Sequence, residues 1–265
     1  MEQIRVTAKG SVSKTILLVF LLGVLFLVSV KVIDLDFQKF YERLENVPEV
    51  IGRMMAIDLS IVPDALLNLV TSLSLALLTL FVAIILAILL SFLAASNIAP
   101  NPYVAIFIKG FFAIIRSVPA LVWGLMVIAS LGFGNVSGFV TILISAVGYL
   151  TKTFTGSIEE TGTEIIEAMR STGASWFQII CHGLIPLCIT AFTAWITVCF
   201  EMNVSESIGL GIIGVGGIGL LLNQAINTYN YGQTTTIVIM ICLLMIVIEL
   251  VMTKIKNTIK FGKTN

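Results

Sequence analysis

Apolar residues in this chain come in long blocks, and that pattern predicts helices that cross a membrane. A spanning helix needs about 20 predominantly apolar residues, and six stretches qualify, at approximately 15–33, 66–95, 103–132, 137–155, 187–212 and 234–253. The second, with LALLTLFVAIILAILLSFLAA, is the least ambiguous. The third carries Lys109, Arg116 and Pro119 and is the one expected to be broken or kinked. The first follows Arg5, Lys9 and Lys14 in the manner of a signal peptide. It is long enough to span and lacks a small-x-small exit, so it reads as a retained helix. No internal repeat is visible.

Two polar intervals interrupt the blocks. Residues 34–64 hold seven acidic and three basic side chains, with Phe37, Phe40, Tyr41 and Leu44 at helical spacing, which predicts an amphipathic helix ending near Pro48. It fits a contact for an outer partner equally as well as a helix resting on the membrane surface. The second interval contains EAMRSTGASWFQIICHGLIP, residues 167–186. Thr161 with Glu164 and Ser175 with Gln178 form two capping-box patterns, Gly173 is placed to end the first helix, and Pro186 to open the next span. The expectation is a helix, a turn and a second helix outside the bilayer. Its apolar face suits docking to another protein or packing on lipid headgroups.

Composition sharpens this picture. The chain is 58% hydrophobic and 11% charged, with mean hydropathy +1.06, as expected of an integral membrane protein. Net charge is zero, and no basic or acidic tail points to nucleic acid. With the N-terminus inside, the inner side collects Arg5, Lys9, Lys14, Lys152, Arg170, Lys254, Lys256, Lys260 and Lys263. The outer side collects Lys31, Lys39, Arg43 and Arg53. That asymmetry predicts both termini, and the 167–186 interval, in the cytoplasm. Cys181, Cys188, Cys199 and Cys242 have no CxxC spacing and read as small hydrophobes, not as a disulfide framework or zinc site.

Three motifs carry a family resemblance. Glu167-Ala168-Met169, then Gly173, then a segment closing on Ile185-Pro186, is similar to the EAA loop of ABC importer permeases. Arg116-Ser117-Val118-Pro119-Ala120-Leu121-Val122-Trp123 precedes it, and Phe200-Glu201-Met202-Asn203-Val204 with GLGIIGVGGIG follows it. In this order, over roughly residues 60–254, they resemble the permease subunit of phosphonate importers, whose relatives carry phosphate, phosphite or hypophosphite. Departures are Gly183 where Ile is common, Ile185 where Leu is common, and Ser205 where an Arg is usual.

The resemblance implies an all-α polytopic membrane protein of about six spans, with the type I (MetI-like) core preceded by one extra N-terminal helix. The implied division is an N-terminal tail and first helix at 1–33, an external loop at 34–65, a permease domain at 66–255 with a coupling loop at 156–186, and a basic tail at 256–265. It places the chain in a bacterial inner membrane, in contact with lipid and with a second permease copy. A cytoplasmic ABC ATPase dimer and an extracytoplasmic substrate-binding protein complete the assembly. Contact with the ATPase would fall on Glu164, Glu167, Ala168, Met169, Gly173, Ala174 and Pro186.

Candidates for the translocation path are Arg116, Ser117, Pro119, Glu201, Asn203, Ser205, Glu206 and Ser207. An intramembrane charge is costly and should face water or a partner. Arg116 therefore either meets a substrate oxyanion or pairs with Glu201 or Glu206. Asn203 and Ser207, four apart, either line a path or join helices by hydrogen bonds. Lys109 and Glu249 are expected to snorkel to the interface. Gly209, Gly211, Gly214, Gly216, Gly217 and Gly219 include a formal GxGxxG. No strand precedes it and no acid follows at the required distance, so it reads as a tightly turned or re-entrant gate segment. The ending Gly262-Lys263-Thr264 has Asn257 where a phosphate-binding loop needs Gly. ATP and Mg are thus assigned to the partner ATPase, no cofactor or metal to this chain, and no catalytic role to its single His182. An intramembrane serine protease is excluded because the only His lies outside the spans and GxSG is absent. An ion-coupled secondary transporter is the rival reading that the intramembrane acids would serve.

Overall fold

The computed structural model describes residues 11–33, 36–161 and 163–261. Arg5, Lys9, Lys263 and the Gly262-Lys263-Thr264 ending lie outside them. Every regular element among the described residues is helical. The chain divides into two compact units, residues 1–53 and 54–265.

The first unit begins with α1, Ser11–Ile33, apolar on all sides. Asp36 then caps α2, Phe37–Leu44, by accepting the Lys39 N–H at 3.0 Å. The amphipathic helix ends at Leu44 and not near Pro48. Pro48 instead lies in the first turn of α3, Val47–Met54, where a missing N–H costs nothing. Phe37, Phe40, Tyr41 and Leu44 are all exposed.

The second unit holds the longer helices. Residues 54–65, which hydropathy placed in the external loop, belong here: the Asp58 N–H donates to Thr236 Oγ1 at 3.0 Å, and Ile61 and Ala65 are buried. A 3-10 turn at Leu59–Ile61 leads into α4, Val62–Ala94. Then come α5, Pro102–Ser117, opened by Asn101 and Pro102, and α6, Ala120–Leu131. They meet at Val118-Pro119 with a bend of 89°, so the third span is broken where proline was expected to break it. α7, Asn135–Glu160, follows, then α8, Thr163–Ser171, and α9, Trp176–Gln178. A π-helical turn, Ile179–Leu184, runs into α10, Ile185–Gly211. The short α11, Gly217–Asn227, and the long α12, Tyr231–Phe261, complete the unit. Among the described residues, five helical segments are long and apolar enough to cross a membrane, six when the bent α5–α6 pair is counted as one span.

α4, α7 and α10 form the centre. α4 turns a row of small residues toward its neighbours: Ser72, Ala76, Thr79, Ala83, Ala87 and Ser91 are all buried, three or four positions apart. In a bilayer, lipid tails are as apolar as leucine, so helices associate where small side chains let backbones approach. Larger residues fill the α8 end, where Phe154 of α7 stacks on Phe192 of α10 with ring centroids 4.2 Å apart. All four cysteines are free thiols: Cys188 and Cys199 are buried, Cys181 is half-buried and Cys242 is exposed.

Candidate functional site

The loop between α7 and α10 is built by local hydrogen bonding. Thr161 does not cap α8: its hydroxyl turns back to the Ser157 carbonyl at 2.6 Å, closing α7 instead. No bond between this hydroxyl and the Glu164 N–H is present among the described residues, so the first capping box is not made there; a threonine hydroxyl in a last turn readily donates to its own helix's carbonyl. α8 ends at Gly173, whose φ of +82° suits glycine. The Gly173 and Ala174 N–H groups close the turn on Arg170 and Met169 carbonyls at 3.0 and 3.1 Å. The second capping box, Ser175 with Gln178, forms as expected. The helix it starts does not stop at Pro186. It continues through the π turn, so that 176–211 is one helical segment.

This loop is fastened to the bundle by apolar packing, where Ile166, Ile179, Ile180 and Leu184 join one core with Phe92, Phe154, Ile158 and Cys188, and by one indole hydrogen bond. Ile166 is buried, and Met169 Sδ sits over Gly183, where an added Cβ would come within 2.7 Å of it. Glycine at 183 is thus the partner of methionine at 169. Trp176 Nε1 donates to the Ile98 carbonyl at 2.8 Å, joining the loop to the α4–α5 connection, while beyond the loop Trp195 Nε1 of α10 donates to Ser157 Oγ of α7 at 3.0 Å. Outward, Glu164, Glu167, Ala168, Gly173, Pro186 and Phe177 are exposed. Met169, Gly173 and Ala174 border a shallow hollow with Thr172, Gln178 and His182. Trp176 and Ile98 were not singled out from sequence, since an indole bond to a main-chain carbonyl 78 residues away leaves no local signal.

Of the two readings of Arg116, the ion pair with Glu201 or Glu206 is not made among the described residues. Glu201 faces Lys256 of α12 at 3.6 Å, and Glu206 is half-buried with Oε2 lacking a hydrogen-bond partner among the described residues. Neither meets Arg116, which is exposed at the end of α5 with its stem on Gly148 of α7. Lys109 does not simply reach for an interface: its Nζ meets Glu159 Oε1 at 2.5 Å and Ser96 Oγ at 2.6 Å. Glu159 and Ser96 are further residues that sequence reasoning missed. Glu249 is exposed.

Asn203 and Ser207 are 2% and 1% exposed, held inside the protomer. Asn203 Nδ2 donates to the Ala76 carbonyl at 3.4 Å, and Ser207 Oγ to that of Ser72 at 3.1 Å. Of the two readings, the structure has the interhelical bonds. Ser205 instead faces outward, as does Pro119, and Ser117 is exposed with its hydroxyl bound to the Ile114 carbonyl.

Glycines 209–219 reverse the chain between α10 and α11. Gly214, Gly216 and Gly217 have positive φ. Gly211 and Gly219 meet backbone to backbone: a Cβ on Gly211 would lie 2.7 Å from Gly219 Cα, and one on Gly219 would strike the Ile208 carbonyl. Gly209 faces open space. At 11 residues, α11 is too short to cross a bilayer, since about 20 are needed. Among the described residues, no three His, Cys, Asp or Glu side chains gather as a metal site.

Residues 87–259, from the last turns of α4 through α12, match the family described as binding-protein-dependent transport system inner membrane component. The chain belongs to that family. Among curated relatives, this family member is 32% identical over 157 residues to the phosphate-import permease protein PhnE of Mycolicibacterium smegmatis, covering 59% of this chain and 30% of that relative. It is 26% identical to the phosphite transport system permease protein PtxC of Stutzerimonas stutzeri over 81% of this chain and 78% of the relative. A more distant likeness, 26% over 57% of the chain and 43% of the relative, is to the glycine betaine/proline betaine permease protein ProW of Escherichia coli. In fold it is similar to an inward-facing structure of the MetNI methionine ABC transporter, at TM-score 0.69 and 20% identity, covering 77% of this chain and 99% of that one. The all-α permease core is thus the MetI type.

Proposed function

We propose that this permease subunit carries a phosphonate or a related phosphorus oxyanion, such as phosphate or phosphite, into a bacterial cell by alternating access. The observation that carries the substrate reading is the similarity to a phosphate-import and a phosphite transport permease over 59% and 81% of this chain. ATP and Mg are bound by a separate ABC ATPase dimer, and an extracytoplasmic binding protein delivers the substrate. A second permease copy completes the path, with both termini cytoplasmic. Glu164, Glu167, Ala168, Met169, Gly173, Ala174 and Pro186 meet the ATPase. The packing of the loop supports this role: a surface whose apolar side shares a core with α4, α7 and α10 passes a push on to them, whereas a slack one absorbs it.

Arg116, Ser117, Pro119, Glu201, Ser205 and Glu206 remain the path candidates on this reading. Asn203 and Ser207 hold the wall behind them, and the glycines at 209–219 form the gate. The test is ligand-induced thermal stabilisation of the cognate binding protein across methylphosphonate, phosphate, phosphite and glycine betaine. Stabilisation by a phosphorus oxyanion is the expected result. A response to betaine alone removes the substrate reading and leaves the permease.

A further inference from the structure

Between α5 and the last turns of α7 lies a cavity of about 330 Å³, within the range that holds small ligands. Lys109 and Arg116 reach it from α5, and Thr151, Lys152, Thr155 and Glu159 from α7. Three cations face one carboxylate, and that carboxylate is already engaged by Lys109 at 2.5 Å. Neither Arg116 nor Lys152 has an ion-pair partner among the described residues.

A second observation points to a ligand. Thr151 and Thr155 are 2% and 5% exposed, and neither hydroxyl has a hydrogen-bond partner among the described residues. Such hydroxyls in a helix ordinarily bond back to the carbonyl four residues earlier, as Thr141 and Ser157 of α7 do at 2.7 and 3.0 Å. These two forgo that bond, and although both residues border the cavity, their oxygens are themselves enclosed by protein. Buried polar groups are almost always paired, so two orphans one turn apart, which a rotation about χ1 can turn toward the cavity beside two unpaired cations, suit an acceptor-rich anion there. A tetrahedral oxyanion accepts from hydroxyls, ammonium and guanidinium at once. Gly148 seats the arginine: a Cβ there would come within 3.1 Å of Arg116 Cγ.

We propose that this cavity is a phosphorus-oxyanion site belonging to each single protomer. It rests on the substrate reading above and deepens it. Thr151 to Glu160 is about 13 Å of helix, and α7 then runs directly into the loop that meets the ATPase. In the proposed topology, the anion therefore rests in the inward half of the membrane, next to the element that feels ATPase closure. The same chemistry is presented by free phosphate or phosphonate and by the phosphate of an anionic lipid headgroup.

The test uses the full permease–ATPase complex without binding protein. Radiolabelled inorganic phosphate is titrated onto delipidated complex in maltoside detergent, with methylphosphonate as competitor. Retention of phosphatidylglycerol is followed separately by native mass spectrometry. Saturable phosphate binding is expected, weakened at least about tenfold by Arg116→Gln and by Thr151→Val with Thr155→Val, as for loss of a charge-assisted bond. Arg116→Lys should recover part of it. Replacing an orphan hydroxyl by methyl does not harm folding, so the threonine variant reads the ligand and not stability. No phosphate binding, but phosphatidylglycerol retained by the parent and lost by both variants, supports the site with lipid as its source. Neither ligand bound, or equal binding by parent and variants, overturns it. That failure together with intact binding-protein-dependent phosphonate uptake removes the cavity proposal alone. Phosphate binding here with a binding protein blind to phosphorus oxyanions removes the substrate reading alone.

Discussion

Among the described glycines, Gly219 leaves the least room for a Cβ, against the end of α10, and one methyl group tests it. In Gly219→Ala, the new Cβ would strike the Ile208 carbonyl oxygen and lie 2.9 Å from Gly211 Cα and 3.0 Å from the Ile208 carbonyl carbon. All three are backbone atoms of α10, so no side chain can swing aside. α11 as a whole must move away from a wall that includes buried Gly211 and Leu210. Overpacking of this kind costs roughly 1–3 kcal/mol, and for a unit of this size each kcal/mol lowers the midpoint by about 2–4 °C. A loss of roughly 2–12 °C is therefore expected. The control is Gly110→Ala in α5, where nothing lies within 4 Å of the added Cβ. There alanine should leave stability unchanged or raise it by about 0.5–1 kcal/mol through helix propensity. The assay is the melting of each purified variant in one detergent, followed by fluorescence-detected size exclusion after heating. Equal midpoints for Gly219→Ala and Gly110→Ala would refute the close approach of α10 and α11.

Three further outcomes follow from named contacts. Ser72→Ala leaves the buried Ile218 N–H without its acceptor at 3.1 Å, and melting should show a loss of about 1–3 kcal/mol. Lys109→Met breaks an ion pair whose side chains are 38% and 34% exposed. Because solvent screens such pairs, melting should fall by only about 0–1 kcal/mol, and Lys109→Glu with Glu159→Lys should restore it. Trp176→Phe keeps the ring but removes the bond to Ile98, so it should lower transported substrate per ATP hydrolysed while ATP turnover continues. An unchanged ratio in reconstituted vesicles would show that this bond does not transmit closure.

Much of the architecture was legible because a membrane imposes it. Apolar block length alone located the spans, and Pro119 located the break in the third. Hydropathy says nothing about which side of an apolar helix is inside, so the small-residue row of α4 escaped notice. It also cannot separate Asn203 facing a path from Asn203 bonded to the Ala76 carbonyl, since both need a polar group on a helix. The Ser175 box was readable from chemistry four residues long, whereas Thr161 had two local carbonyl and amide partners and took the other one. Arg116 lacked its expected carboxylate because Glu201 stands nearer Lys256, a pairing across 55 positions that spacing cannot encode.

On the proposed function, this chain forms the membrane path of an ATP-driven importer of phosphorus oxyanions and is moved through its 167–186 loop. The direct measurement is accumulation of labelled methylphosphonate in proteoliposomes holding the permease, its ATPase and its binding protein. ATP-dependent accumulation is expected, and Gly173→Asp, which places a charged side chain at a φ of +82° on the docking face, should abolish it in well-assembled complex. Accumulation that needs no ATP, or that proceeds unchanged in Gly173→Asp, would contradict the account.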